Sequence, residues 1–180
     1  LEKPSKDKRN LKLTRIGLVR DGTASSNGMS KEDMERRTKL INAAKVKLQN
    51  LHMFVSPLRL TVHNIPFNMS DNTFRQLCYE GAGKGSSITE CRIWRDRSKA
   101  DEGGVGTSRG FGFVAFETHA DALKCLNALN NNPDTFTKDR RPIVAFSIED
   151  MKALRLRESR VVKSQKGQEK KVEKGNKDEE

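Results

Sequence analysis

The spacing of apolar positions changes near residue 58. Before that point the spacing is helical, and Ser30 followed by Asp33 is typical of a helix N-cap. This pattern predicts an amphipathic helix over about 31–50. Its apolar positions are Met34, Ile41, Ala44, Leu48 and Leu51.

From 58 to 150, short alternating runs and helical patterns follow one another. The resulting order is β-α-β-β-α-β, a ferredoxin-like plan of the α/β (α+β) class. It implies a four-stranded antiparallel sheet with two helices on one face and an open second face. The predicted strands are 58–65, a run from Ile88 to Ile93, a run that contains 109–116, and 141–148; the predicted helices follow Ser70 and Thr118.

The flanks differ from this segment in composition. Residues 1–10 and 166–180 are polar and low in complexity, so we expect both ends to be disordered. Residues 11–57 then form a linker that contains the amphipathic helix, and 58–150 form the domain. A C-terminal helix is expected over 151–165, on the apolar positions Met151, Leu154 and Val161. The first residue is leucine, so we expect a piece of a longer protein.

The net charge of +11 lies entirely in the flanks. Residues 1–57 carry 13 basic and 6 acidic side chains, 58–150 carry 12 of each, and 151–180 carry 10 and 6. This distribution predicts a polyanionic partner that the flanks help to hold. No run of 18 apolar residues is present, so no membrane partner is expected.

One octamer in the predicted third strand carries the chemistry. Residues 109–116, RGFGFVAF, match all eight positions of the pattern K/R-G-F/Y-G/A-F-V-x-F/Y. Because side chains alternate along a strand, Arg109, Phe111 and Phe113 would lie on the open face. The phenylalanine rings can stack on unpaired bases, and Arg109 can contact phosphate. We expect Gly110 and Gly112 to leave open space around the rings.

The octamer and the order of elements make 58–150 resemble the RNA recognition motif family. The resemblance implies binding of single-stranded RNA on the sheet. At Thr61, where the family usually has an aromatic residue, the expected ring is absent. His63 is expected on the same face as a weaker platform. By the same alternation Arg92 and Trp94 of the second strand, and Val144 and Phe146 of the fourth, are expected to face outward.

A closer resemblance extends over roughly 11–160. It is to nucleolar proteins that contain several RNA recognition motifs and act in assembly of the large ribosomal subunit. That resemblance implies nucleolar localisation, pre-ribosomal RNA as partner and ribosome-assembly proteins as further partners. The segments that carry it are 16–37, 51–66, 88–96, 128–136 and 141–150.

Other classes of function are weaker interpretations. No Ser/His/Asp, Cys/His or paired-carboxylate pattern is present, so we expect neither an enzyme nor a cofactor or metal site. The three cysteines, Cys78, Cys91 and Cys125, have no metal-ligand spacing and are expected to be buried in a reducing compartment. The main alternative is a protein-binding scaffold whose sheet is covered by a partner or by the C-terminal helix. Single-stranded DNA is a third alternative.

Overall fold

The computed structural model describes residues 7–100, 103–160 and 162. Its four strands and first three α-helices follow in the predicted order, and a further helical segment begins at residue 151. Two short 3-10 helices precede the first α-helix, and a third follows the second strand. The elements are α1 (Lys31–Lys47), β1 (Met53–His63), α2 (Asp71–Ala82), β2 (Ile88–Asp96), β3 (Thr107–Phe116), α3 (His119–Leu129) and β4 (Ile143–Asp150).

Helices α1, α2 and α3 each begin at a hydroxyl side chain. The oxygens of Ser30, Ser70 and Thr118 accept hydrogen bonds from the backbone N–H three residues later, which satisfies one free donor of each first turn. The three predicted caps are therefore confirmed. Helix α1 ends at Lys47, three residues before its predicted end.

The four strands form one antiparallel sheet in the order β2-β3-β1-β4. This confirms the predicted ferredoxin-like fold. Alternate side chains of the sheet enter a core that they share with α2 and α3. The largest fully buried members are Phe74, Phe116, Leu60, Ile65 and Leu126.

The first strand starts at Met53, five residues before the predicted start. Pro57 lies inside it, where the pairing with β4 shifts between Val55 and Leu60. Proline cannot donate a ladder hydrogen bond and is tolerated in strands at such irregularities. The hydroxyl of Ser56 accepts from the N–H groups of Leu58 and Arg59, which satisfies the backbone there. The alternation of apolar and polar residues in the sequence therefore indicated a strand only from Leu58 onward, after this irregularity.

The predicted disorder of 1–10 is wrong for its last residues. The carbonyl of Arg9 accepts from the N–H of Val55 at 2.9 Å, and its guanidinium donates to the carbonyl of Leu48 at 3.0 Å. Asn10 adds a hydrogen bond from its side chain to the carbonyl of Val55. Local composition did not reveal these long-range bonds. Residues 1–6 and the predicted tail 166–180 lie outside the described part of the chain.

Helix α1 attaches to the domain partly through charged groups. Asp33 and Arg37 are each only 3% exposed, and their side chains lie 3.7 Å apart. Oδ1 of Asp33 accepts from the side-chain amide of Asn64 at 2.6 Å, and Arg37 donates to the carbonyl of Pro142 at 3.0 Å. Burial lowers the pKa of Arg37, and Asp33 opposes that shift. The buried stripe of α1 is thus polar at its N-terminal end.

Residues 151–160 are helical, and within them Met151 and Leu154 are half-buried. The N–H of Met151 donates to the carbonyl of His52 at 2.9 Å, which joins the start of this segment to the residue before β1. Val161 lies outside the described residues. None of the helices that the structure describes combines the length and the apolar character of a membrane span.

The Asp33–Arg37 pair gives a testable stability prediction. An Asp33→Ala change leaves the buried Arg37 guanidinium without its counter-charge, which costs about 3–5 kcal/mol in the free energy of unfolding. Urea denaturation of the intact chain measures this cost. Glu35→Ala, at an exposed position of the same helix, is the control and should change stability by less than about 0.5 kcal/mol. Equal loss in both variants would contradict the interpretation.

Candidate nucleic-acid interface

Three aromatic rings form a row across the open face of the sheet. His63 of β1 lies directly opposite Phe111 of β3, and their ring centroids are 5.4 Å apart with planes inclined by 23°. Trp94 of β2 lies on the other side of Phe111, at 6.3 Å and 14°. The row His63–Phe111–Trp94 therefore spans three strands with nearly parallel rings. We call it the aromatic row.

Phe113 stands edge-on to this row. Its ring is perpendicular to those of Phe111 and Trp94, at centroid distances of 5.9 and 6.3 Å. The guanidinium carbon of Arg59 lies over the Phe113 ring, 4.1 Å from its centroid, which is a close cation–π contact. A base that stacks on this side of Phe113 has to displace Arg59.

Two carboxylates hold Arg59 in that position. The guanidinium lies 3.3 Å from Glu90 of β2 and 3.2 Å from Glu149 of β4. Glu90 also pairs with Arg92 at 3.2 Å, and Arg92 in turn lies 5.5 Å from the centroid of Trp94. The cations at this end of the face are thus paired with carboxylates. The sequence pattern did not predict a role for Arg59.

Arg109 also has a partner. Its guanidinium donates to Asp96 at 2.9 Å while the side chain remains largely exposed. The hydroxyl of Ser98 and the guanidinium of Arg109 hold the pKa of Asp96 below its usual range. Arg109 can still reach a phosphate, but only in competition with Asp96.

Of the other residues predicted to lie on the open face, those of β1 and β2 do so and those of β4 do not. Thr61 lies opposite Phe113, on the same face of the sheet, and provides no ring. Arg92 and Trp94 lie on the open face as predicted. The outward orientation predicted for Val144 and Phe146 is wrong, since both are buried and Val144 lies opposite the fully buried Val62.

Phe146 belongs to the core. It pairs with Leu60, whose side chain is fully buried, so both point towards the helices. Phe146 is 4% exposed, and its ring stacks at 5.3 Å on His119 of α3, a helix on the opposite face from the row. The neighbour of Phe146 that faces outward is Ala145, which is exposed and lies opposite Thr61.

The two glycines of the octamer allow close packing and do not leave open space. Gly110 has a φ of +75°, and a Cβ there would lie 3.3 Å from Cε1 of Phe67. At Gly112 a Cβ would lie 2.7 Å from the carbonyl oxygen of Arg92. The first position needs glycine for its backbone conformation and the second for the approach of β2. Phe67, 60% exposed, was also missed by the sequence analysis.

Comparison with known proteins identifies the domain. Residues 60–136 match the model of the RNA recognition motif family. This domain belongs to the RNA recognition motif family. The chain therefore carries an RNA-binding module of that type.

Individual relatives extend the comparison. The chain is 40% identical to human RNA-binding protein 28 over 158 residues, which is 87% of this chain and 21% of that protein. It is 37% identical over 73 residues to polyadenylate-binding protein 4 of Arabidopsis thaliana, covering 41% of this chain and 9% of that protein. The chain thus spans about a fifth of the first relative and less than a tenth of the second.

Among solved structures, RNA recognition domains 1 and 2 of Drosophila melanogaster Sex-lethal are 27% identical. They cover 50% of this chain and 49% of that one, with a TM-score of 0.40.

Histidine 63 gives a pH prediction for this RNA recognition motif. Burial, with a smaller contribution from Arg36, lowers the pKa of His63 from 6.5 to about 4. The unfolded chain then binds the proton more readily, so the stability that neutral His63 contributes is complete above about pH 6.5. It is lost as the pH falls towards 4. Near neutral pH the ring is uncharged and acts as an aromatic surface.

Titration by NMR tests this directly. The His63 ring signals should move well below pH 6.5. A His63→Gln variant should show a flatter dependence of unfolding free energy on pH between about 6.5 and 4. A His63 ring that titrates near pH 6.5 would contradict the burial argument.

Proposed function

We propose that the chain binds single-stranded RNA without catalysis, by stacking bases on the aromatic row and on Phe113. The observation that carries this proposal is the row itself, since three nearly parallel rings lie together on the sheet face opposite α2 and α3. Unpaired bases expose flat π surfaces, and such rings bind them with little dependence on sequence.

The RNA affinity that stacking on the sheet face alone can supply is limited. Two stacked bases contribute roughly 2–6 kcal/mol, whereas micromolar affinity requires about 8 kcal/mol. Arg59, Arg92 and Arg109 are each paired with a carboxylate, so the sheet adds little net positive charge. Contacts outside the row therefore have to supply the remaining affinity. The basic residues of the flanks are the proposed source.

We further propose that the RNA is pre-ribosomal and that the chain acts in the nucleolus during assembly of the large ribosomal subunit, with roles in ribosome biogenesis and rRNA processing. The 40% identity to RNA-binding protein 28 over most of the chain supports this proposal, together with the resemblance of its segments to nucleolar proteins. Ribosome-assembly proteins would then be its neighbours.

A protein-binding scaffold is the second candidate function. One observation favours it: Glu90 and Glu149 fix Arg59 over Phe113, which covers part of the stacking surface and leaves that end of the face without excess positive charge. A protein partner could use this end through the same side chains.

Replacement of both phenylalanines tests the stacking proposal. A Phe111→Ala, Phe113→Ala double variant should bind mixed-sequence single-stranded RNA at least about tenfold more weakly, because each lost stack costs roughly 1–3 kcal/mol. Fluorescence anisotropy with labelled RNA measures the affinity. DNA oligonucleotides of the same sequences show whether the 2′-hydroxyl contributes.

Tyr79→Ala is the matched control, since this partly exposed ring lies on α2, on the far side of the domain. It should leave affinity unchanged within about twofold. Circular dichroism melting of both variants checks that the fold persists. If the double variant binds RNA as tightly as the wild type, stacking is rejected and the scaffold function is favoured.

A further inference from the structure

The end of the open face beyond His63 has a different character from the end at Arg59. Here β1 ends, β4 begins, and α1 approaches through Asn64. Three exposed side chains lie at this end: Arg36 of α1, Phe67 of the loop after β1, and Arg140 of the loop before β4. We call them the basic edge.

Direct contacts join the basic edge around Asn64. Arg36 donates to the side-chain oxygen of Asn64 at 2.6 Å, and the Asn64 amide donates to the carbonyl of Arg141 at 2.8 Å. The guanidinium of the preceding Arg140 lies 5.9 Å from the centroid of Phe67. Asn64 itself has a φ of +67°, a conformation that asparagine tolerates better than most residues. The arrangement is therefore held by the fold and not only by flexible side chains.

The basic edge is continuous with the aromatic row. The ring of Phe67 packs against Gly110, the residue before Phe111, and Arg36 lies close enough to His63 to lower its pKa. Phe67 therefore lies beside the end of the row at which His63 and Phe111 face each other.

The charges of the basic edge are uncompensated. Within the described part of the chain, neither Arg36 nor Arg140 forms an ion pair, in contrast to Arg59, Arg92 and Arg109. The loop 138–141 carries three basic side chains and one acidic side chain. An exposed aromatic ring with two guanidinium groups that no described carboxylate pairs with suits a nucleotide, because the ring can stack on the base and the cations can neutralise phosphates.

We propose that the basic edge is a second RNA subsite, in which Phe67 stacks a base and Arg36 and Arg140 contact the adjoining phosphates. This inference rests on the proposed function, since it extends the same strand beyond the row. It gives α1 a part in binding, because α1 brings Arg36 to the sheet. RNA long enough to pass from the row to the edge gains both sets of contacts.

The test compares RNA of two lengths. The row accommodates two or three bases, so a four-nucleotide RNA is held by the row alone, and a ten-nucleotide RNA reaches the edge. Arg36→Gln with Arg140→Gln removes the two charges, and glutamine keeps a donor for Asn64. Phe67→Leu removes the ring. The control, Arg75→Gln with Lys124→Gln, removes two charges from α2 and α3 on the opposite face.

The double arginine variant should bind ten-nucleotide RNA about tenfold more weakly. The slope of log affinity against log salt concentration should become shallower by about 1.4 in this variant, since each phosphate contact contributes about 0.7 to the slope. Phe67→Leu should weaken the same complex about five- to tenfold and leave the salt dependence unchanged. Both variants should bind four-nucleotide RNA within twofold of the wild type, and the control should do so at both lengths.

The outcomes separate the two proposals. If the edge variants behave like the control on ten-nucleotide RNA, the subsite is rejected, while the effect of the Phe111→Ala, Phe113→Ala variant decides the proposed function independently. Equal losses for both RNA lengths would also reject an extension beyond the row. If the edge variants lose affinity and the phenylalanine variant does not, stacking on the row is rejected, and with it the proposal that the edge extends a strand bound there.

Discussion

The antiparallel register between β1 and β3 is the constraint on which the candidate site depends. It sets His63 opposite Phe111 and Thr61 opposite Phe113, while Leu60 and Val62 point into the core. A slip of one residue would bring the polar face of β1 against the helices, so burial of its apolar residues specifies the register strongly. Because α2 and α3 cover only one face, the rings on the other face remain accessible.

The open face is polarised along its strands. At one end, Arg59 is held between two glutamates and covers part of Phe113. At the other end, Arg36 and Arg140 form no ion pair with any described carboxylate, and Arg140 lies 5.9 Å from the exposed Phe67 ring. Under the proposed function, electrostatic attraction would guide RNA to the α1 end of the face before its bases stack on the rings. The neutral charge of 58–150 in the sequence conceals this asymmetry.

Local sequence signals predicted the fold and the centre of the site. The caps at Ser30, Ser70 and Thr118 and the octamer 109–116 depend on neighbouring residues and were recognised. The sequence did not reveal which residues of β4 face the helices. Its residues 143–146 are all apolar and show no alternation of apolar and polar positions. The pairing of Arg59 with Glu149, and of Asp33 with Asn64, joins residues distant in sequence. Such contacts leave no local pattern in the sequence. The cover of Arg59 over Phe113 and the polar attachment of α1 were therefore found only in the structure.

Fluorescence of the single tryptophan tests the stacking claim most directly. Trp94 is 43% exposed and forms one end of the aromatic row, so a base that stacks there should quench its emission. In a titration of the unmodified chain with single-stranded RNA, quenching should follow the same binding curve as the anisotropy of the labelled RNA. Saturation of the anisotropy without any change in Trp94 emission would contradict binding on the aromatic row.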